Sequence, residues 1–268
     1  MIIRGAVLGS PISHSLSPVL YQGAFAFLGI DGHYEAIDVP SGTFADFFSK
    51  RANEFDYFSL TMPLKEEALS LDISFDELAK RIGSANMLYR KNGTWHGTST
   101  DGSGFVSSLA ASSDRTFSNA LILGAGGTAR AIAGAIDSLI PSISILGRTS
   151  TRRDALARCV QSSTFEYLPW SDNHELSEYD LVINTTPAGA ADLLAENLSS
   201  SVSALLFDVI YTPWPTVLAS RWSDRSGQVI NGKELLLWQG IDQLERVVEV
   251  PFDRALLAPH LRVLLTSR

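Results

Sequence analysis

Four short constellations carry side chains capable of chemistry. In the first, Ser13 and Ser15 flank a single residue in the loop SPISHSLSP, just past a run that reads as a strand. Paired hydroxyls there can bond a carboxylate or a polyol, although serine in a loop is commonly turn chemistry alone. In the second, LTMPLK opens near Thr61 and ends on Lys65, again past a strand pattern. A lysine enclosed in a cleft can give and take back a proton, whereas a solvated one is only a surface charge. In the third, Asn86 closes GSAN and Asp101 stands in GTSTDG, at the two ends of a hairpin pattern turning at Lys91-Asn92-Gly93. An amide and a carboxylate so placed can orient one hydroxylated ligand. Asp101 can equally cap the helix starting near Gly102, and the two roles are compatible. In the fourth, Asn231-Gly232 leads into a helix pattern that carries Gln239, whose amide faces either a crevice or solvent.

A second kind of chemistry is written in the stretch 119–153. Ala120-Leu121-Ile122-Leu123 reads as a buried strand, Gly124-Ala125-Gly126-Gly127-Thr128-Ala129 as a turn, the run to Leu139 as a helix, and Ile143 to Leu146 as a second strand. Strand, glycine turn, helix and strand make a βαβ unit with the G-x-G-x-x-A dinucleotide fingerprint. Gly124 permits the tight turn, Gly126 lets a pyrophosphate approach the backbone, and Ala129 lets helix and strand pack closely. The helix N-terminus turns unpaired N–H groups toward the phosphates. An NAD site would show an acidic residue about 20 residues past the glycines, on the ribose hydroxyls. Here Gly147-Arg148-Thr149 follows, with Arg152 and Arg153 beyond and no carboxylate before Asp154. Guanidinium groups grip phosphate through several N–H donors, so the expected cofactor is NADP.

The elements that must position these residues follow the same rhythm throughout. Strand patterns at Ile2 to Gly9, His33 to Ile37 and Tyr57 to Thr61 alternate with helix patterns at Val19 to Leu28 and Thr43 to Ala52, with Pro18 suited to a helical first turn. Two short helices fit between Lys65 and Ile82, and a helix from Gly102 to Ala111 leads to the polar stretch Ser112 to Ser118, the clearest candidate boundary. Leu181 to Asn184, Leu205 to Ile210 and Gln228 to Asn231 read as further strands, and the chain from Gly232 onward as helix. Alternating β and α elements in both halves predict two α/β domains with mainly parallel sheets. The ligand then belongs in a crevice at the carboxyl ends of the strands, between the domains.

Composition narrows the function classes. With 21 Lys plus Arg against 29 Asp plus Glu, the net charge of −8 argues against a nucleic-acid surface. The single cysteine, Cys159, excludes an intrachain disulfide. No apolar run is long enough to span a bilayer and the N-terminus is not a signal peptide, so a cytoplasmic enzyme without a membrane partner is expected. The five histidines lack metal-ligand spacing, and no metal is expected.

Taken in order around the dinucleotide unit, these motifs resemble the shikimate dehydrogenase family from Gly9 to about Gly240. The family's S-x-S loop is similar to PISHSLSP, its T-x-P-x-K motif to Thr61, Pro63 and Lys65, its Asn-containing loop to SAN, and its N-T-D-G motif to STDG. GAGGTARA matches the glycine loop, GRTSTR the N-R-T-x-x-R phosphate clamp, NTTPAG the N-A-T-P-x-G motif, DVIYTPWPT the D-x-x-Y-x-P-x-x-T motif, and GKELLLWQG the late G-x-x-M-L-x-x-Q-G motif.

The resemblance implies a substrate-binding domain of residues 1–103 completed by C-terminal helices 235–268, and a Rossmann-type NADP-binding domain of residues 104–234. It implies reversible, NADP-linked reduction of 3-dehydroshikimate to shikimate by a monomer or homodimer. Lys65 would pass the proton and Asp101 would hold both Lys65 and a substrate hydroxyl. Ser13, Ser15 and Tyr211 would hold the carboxylate, and Thr61, Asn86 and Gln239 the ring hydroxyls. Gly124, Gly126, Gly127, Thr128, Ala129, Arg148, Thr149, Arg152, Thr185 and Gly232 would contact the cofactor. Three positions depart from the family pattern: Ser99 and Gly147 each replace an Asn, and Leu235 replaces a Met. The competing expectations are a quinate/shikimate enzyme preferring NAD, a folate-linked dehydrogenase of similar build, and a non-catalytic metabolite-binding paralogue. Arg148 and Arg152 argue against the first, the paired serines with Gln239 against the second, and the joint presence of Lys65 and Asp101 against the third.

Overall fold

The strand patterns assemble into two six-stranded sheets in a computed structural model that describes residues 2–267. The chain divides into two compact units, Met1–Gly104 with Leu236–Arg268, and Phe105–Leu235. The division falls inside two helices rather than in the polar stretch at 112–118, because these helices continue unbroken from one unit into the other.

In the first unit the elements run β1 (Ile3–Gly9), α1 (Ser17–Leu28), β2 (Gly32–Asp38), α2 (Phe44–Arg51), β3 (Tyr57–Leu60), α3 (Leu64–Glu67), β4 (Ser74–Phe75), α4 (Glu77–Ile82), β5 (Met87–Lys91) and β6 (Thr94–Thr98). The strand order is β2-β1-β3-β5-β6-β4. β1 pairs in parallel with β2 and β3, whereas β5 is antiparallel to β3 and β6, so this sheet is mixed. The hairpin signal at Lys91-Asn92-Gly93 is the cause, with Asn92 and Gly93 both at positive φ. One face of the sheet buries Ala6, Leu8, Phe58, Leu60 and Leu88 against Phe44 and Phe55. Full burial of each such large side chain contributes roughly 1.5–3 kcal/mol. Tyr21, Tyr34 and Tyr57 are fully or almost fully buried as a second aromatic group, with Tyr21 stacked on Tyr34 at 4.1 Å.

In the second unit, α5 (Asp101–Ser112) leads to β7 (Asn119–Leu123), α6 (Gly127–Ile136), β8 (Ser142–Gly147), α7 (Arg153–Ala157), β9 (Thr164–Pro169), β10 (Leu181–Asn184), β11 (Leu205–Asp208), α8 (Val217–Asp224) and β12 (Val229–Asn231). The order β12-β11-β10-β7-β8-β9 is parallel throughout. A parallel sheet is buried on both faces, and β7 shows how: Ala120 and Ile122 enter one apolar cluster, Leu121 and Leu123 the other. The strand order reverses between β7 and β10, the switch point where doubly wound sheets take ligands. α9 (Gly232–Val247) and α10 (Arg254–Thr266) complete the chain.

β9 has no counterpart in the expected elements. TFEYLP alternates, with Phe165 and Tyr167 packed against the unit's core, but its inward residues are aromatic and only half-buried, which blurs the period of two. α6 ends at Ile136, short of Leu139, because Asp137 leaves the helical conformation and Ser138 takes a positive φ.

Candidate active site

The topology of the first sheet brings the chemistry-bearing loops to one edge. β1, β3 and β6 run in one direction and β5 in the other, so the segments after β1, β3 and β6 and the segment before β5 all meet there. Backbone bonds tie them together. Ser10 N–H donates to the Met62 carbonyl at 3.1 Å, Thr61 N–H to Leu8 at 2.9 Å, Ala85 N–H to the Lys65 carbonyl at 2.8 Å, and Asn86 N–H to Thr98 at 3.1 Å.

At this edge Lys65 Nζ stands 2.5 Å from Asp101 Oδ2, with the two side chains 17% and 6% exposed. A mostly buried ion pair is held only when further hydrogen bonds satisfy its remaining atoms. Asn86 provides one: its Nδ2 donates to Asp101 Oδ1 at 2.7 Å. The same amide group lies 3.1 Å from Gln239 Oε1 and 3.1 Å from Thr100 Oγ1. Asn86 Oδ1 accepts from Thr100 N–H at 2.7 Å and from its hydroxyl at 3.2 Å. Both ends of the Asn86 amide are therefore engaged within the protein, and the residue acts here as the brace that orients Asp101 and Gln239.

The brace continues into a layer that local motifs do not reveal. Gln243 Nε2 donates to Gln239 Oε1 at 2.9 Å, and Gln243 Oε1 accepts from the Tyr21 and Ser59 hydroxyls, each at 2.6 Å. Tyr34 donates to Ser59 at 2.6 Å. Burial pushes the Tyr21 and Tyr34 hydroxyls well above the ordinary phenol range, so both remain donors. The only sequence signal for Gln243 is its place one helical turn after Gln239.

The remaining expected substrate residues sit at the same edge or in the other unit. Ser13 is exposed, and half-buried Ser15 accepts from Ser17 N–H at 3.3 Å at the start of α1. Thr61 is half-buried at the end of β3. Tyr211 lies in the second unit, just past β11. Ser99, one of the departures, is buried with a hydroxyl that has no partner among the described residues, as expected where a shorter side chain stands for an amide.

The second unit builds its own site around the switch point. Gly124 turns at φ +103, a conformation that side-chain-bearing residues rarely adopt. A Cβ there would lie 2.8 Å from Thr185 Oγ1, which itself donates to the Leu123 carbonyl at 2.7 Å. Thr185 thus stands at the end of β10 beside the glycine turn. Gly127 and Thr128 open α6, and Ala129, the third residue of that helix, is fully buried. Arg148, Thr149 and Arg152 are exposed on the turn after β8, and Arg152 Nη1 donates to the Ala125 carbonyl at 3.2 Å. Gly232 leaves no room for a side chain, since a Cβ would fall 1.9 Å from the Val209 carbonyl oxygen. Leu235, another departure, is buried in the apolar cluster of this unit.

Asp208, the first residue of the DVIYTPWPT motif, organises the same edge, although the motif alone assigns it no role. It accepts from Asn184 Nδ2 at 3.1 Å, Ile210 N–H at 3.1 Å and the Thr216 hydroxyl at 2.7 Å, tying together the segments after β10 and β11. Burial raises its carboxyl above the ordinary range, against the lowering pull of these three donors.

The residues of this unit fit a dinucleotide phosphate. Gly126 is the extended N-cap of α6 and has no side chain to cap it, and the position its Cβ would take has no protein atom within 4 Å. A helix start with room at its glycine N-cap, beside exposed Arg148 and Arg152, is the kind of place where backbone N–H groups take a phosphate. Among the described residues, no group of three or more His, Cys, Asp or Glu side chains could hold a metal ion, and no helix is long and apolar enough to cross a membrane.

Known proteins are similar to this chain in sequence and fold. Residues 7–88 match the family model of the shikimate dehydrogenase substrate binding domain, and residues 108–211 that of shikimate / quinate 5-dehydrogenase. The shikimate dehydrogenase (NADP(+)) of Staphylococcus aureus strain MRSA252 is 33% identical over 252 residues, 91% of each chain. The crystal structure of Mycobacterium tuberculosis shikimate dehydrogenase superposes with a TM-score of 0.83 at 31% identity, covering 98% of this chain and 99% of that one. The Thermus thermophilus shikimate 5-dehydrogenase in complex with NADP(H) and shikimate gives a TM-score of 0.83 at 30% identity, again over 98% and 99%. Similarity of this extent, running through both units and both sets of motifs, means that the chain belongs to the shikimate dehydrogenase family.

Proposed function

We propose that this chain catalyses the reversible, NADP-linked reduction of 3-dehydroshikimate to shikimate, a step toward chorismate and the aromatic amino acids. A cytoplasmic location goes with that pathway. The observation that carries the reading is the Lys65–Asp101 pair, enclosed at the sheet edge and braced by Asn86. The substrate falls to residues 1–103 with 235–268 and the dinucleotide to residues 104–234.

NADPH bound at the glycine turn of the second unit supplies the hydride. Gly124, Gly126, Gly127, Thr128 and Ala129 shape that turn, Thr185 and Gly232 flank it, and Arg148, Thr149 and Arg152 take the 2′-phosphate. The chain's own part in the reaction is the proton. Lys65 Nζ donates it to the carbonyl oxygen as the carbonyl carbon becomes a secondary alcohol, and in the reverse direction takes it back from the hydroxyl. Asp101 Oδ2 fixes the ammonium in place, and Asn86 fixes Asp101 through the other oxygen. Ser13, Ser15 and Tyr211 hold the substrate carboxylate. Thr61 and Gln239 bond ring hydroxyls. Asn86 does so by giving up one of its present bonds to Thr100 or Gln239. Such fixed placement is where much of a positioned reaction's advantage arises.

Initial rates followed by NADPH absorbance test this reading. Shikimate with NADP is expected to give the highest kcat/KM among the four pairings of shikimate or quinate with NADP or NAD. Absence of shikimate-dependent turnover with either cofactor overturns the proposal. Equal efficiency with quinate replaces it by the broader quinate/shikimate activity.

A further inference from the structure

The turn after β8 lacks the family's Asn at position 147, and another residue stands in the vacant volume. A Cβ built on Gly147 would lie 1.9 Å from the Tyr167 hydroxyl oxygen and 2.5 Å from Cζ of the same ring. Glycine is not required there by backbone conformation, since Gly147 is an extended residue of β8 and absent from the positive-φ positions. It is required by space. Tyr167 projects from β9, the parallel neighbour of β8, with its ring packed against the unit's core. Its hydroxyl donates to the Thr149 carbonyl at 2.6 Å. The only proton donor of this side chain is thus committed to the backbone of the turn that carries Arg148, Thr149 and Arg152.

Two further contacts define that turn. The Thr149 and Thr151 hydroxyls lie 2.9 Å apart, and Arg152 Nη1 reaches back to the Ala125 carbonyl of the glycine turn. Tyr167 lies close enough to Arg152 for the guanidinium charge to lower its pKa, against a larger upward push from burial.

We infer that Tyr167 is a positioning residue for the adenosine 2′-phosphate: its ring fills the volume that a side chain at 147 would occupy, and its bond to the Thr149 carbonyl sets the direction in which the arginines of the turn point. The inference rests on the reading of Arg148, Thr149 and Arg152 as a phosphate clamp. It explains how the clamp works without an amide at its head. It also makes Gly147 and Tyr167 one unit, in which the glycine is the condition for the tyrosine.

Calorimetric binding of NADP⁺ to the full chain tests this, with NAD⁺ measured by competition and no turnover involved. Tyr167→Phe keeps the ring and removes the hydroxyl. It is expected to weaken NADP⁺ about three- to tenfold, the worth of one hydrogen bond, and to change NAD⁺ by less than about twofold. Arg148→Ala, run in parallel, is expected to weaken NADP⁺ by more than about tenfold and to spare NAD⁺. If Arg148→Ala spares NADP⁺, the clamp reading itself falls. If it weakens NADP⁺ while Tyr167→Phe does not, or while Tyr167→Phe weakens both dinucleotides equally, the role of Tyr167 falls alone. The shared volume has its own test. Gly147→Ala should weaken NADP⁺ in the native background and cost nothing further beside Tyr167→Val, because residues in contact do not act additively. Additive losses would overturn it.

Discussion

The Lys65 cluster and the arginine turn hold charge in opposite ways. In the first unit, Lys65 and Asp101 are mostly enclosed, and Asn86, Thr100, Gln239 and Gln243 are buried and bonded mainly to one another. In the second, Arg148, Thr149 and Arg152 are exposed. A buried polar network gains strength from the low local dielectric, but each missing partner costs the full desolvation of the group left behind. An exposed clamp works by charge through water and salt, over a Debye length of about 8 Å at physiological ionic strength. The first arrangement suits a proton that must move between fixed atoms, the second a phosphate that need only be held. The departures touch both regions: the exposed turn has Gly147 with Tyr167 in the space beside it, and the enclosed cluster has Ser99 next to Thr100, while Lys65 and Asp101 themselves match the family pattern.

The largest effect should come from removing the proton donor. Lys65→Ala is expected to lower kcat by a factor on the order of 10²–10⁴, the usual worth of a positioned acid–base group, with the KM for shikimate much less affected. Near-normal turnover would make the enclosed pair a structural feature and erase the contrast between the units. Next in size is the clamp. Arg148→Ala should raise the KM for NADP by roughly ten- to a hundredfold, the range of a charge-assisted bond of about 1.5–3 kcal/mol, and leave that for NAD nearly unchanged. Added salt should weaken NADP in the native enzyme and much less in the variant. A salt response equal in both would mean that this guanidinium does not face the phosphate.

The same contrast decides what the sequence discloses. The glycine turn, Lys65, Asp101 and the arginines are legible because each chemical need is met within a few consecutive residues: a positive φ at Gly124, a strand end before Lys65, a helix start after Gly126. The alternation of strands and helices discloses two α/β units for the same reason. What stays hidden is partnership across long separations. Gln243 meets Tyr21 and Ser59, Asp208 meets Asn184, and Tyr167 fills the space at Gly147. None of these pairs has a spacing that elementary periodicity would flag. β9 is obscured similarly, because Phe165 and Tyr167 are only half-buried and their alternation has weak contrast.

The hidden layer offers a smaller test. Gln243→Leu removes the acceptor of Tyr21 and Ser59 and the donor to Gln239. Orphaning buried polar groups should cost about 1–3 kcal/mol of unfolding free energy, measured by urea denaturation. If the layer also orients Gln239, the KM for shikimate should rise by a larger factor than kcat falls. An unchanged KM in a destabilised variant would confine Gln243 to the core.

The smallest effect belongs to the second unit and concerns how β9 is held. Asp137, just past α6, accepts from the backbone N–H groups of Gln161, Ser162 and Ser163, the segment leading into β9. Burial pushes its carboxyl up, but the three N–H donors prevail and bring it down from 3.8 to about 2. A carboxyl lowered in the folded state contributes stability that is present above its unfolded value and lost as pH falls through its folded value. The window therefore runs from about pH 4 down to about pH 2. Asp137→Asn should lower the urea midpoint at pH 7, by an amount corresponding to about 1 kcal/mol once solvent screening is allowed for. The gap to the native protein should narrow as pH is taken from 4 toward 2, because the native carboxylate is then being neutralised as well. A gap of constant size over that range would mean that the charge on Asp137 contributes nothing. The bonds to residues 161–163 would then act only through their geometry, and β9 would be held in place by its aromatic contacts and by pairing with β8.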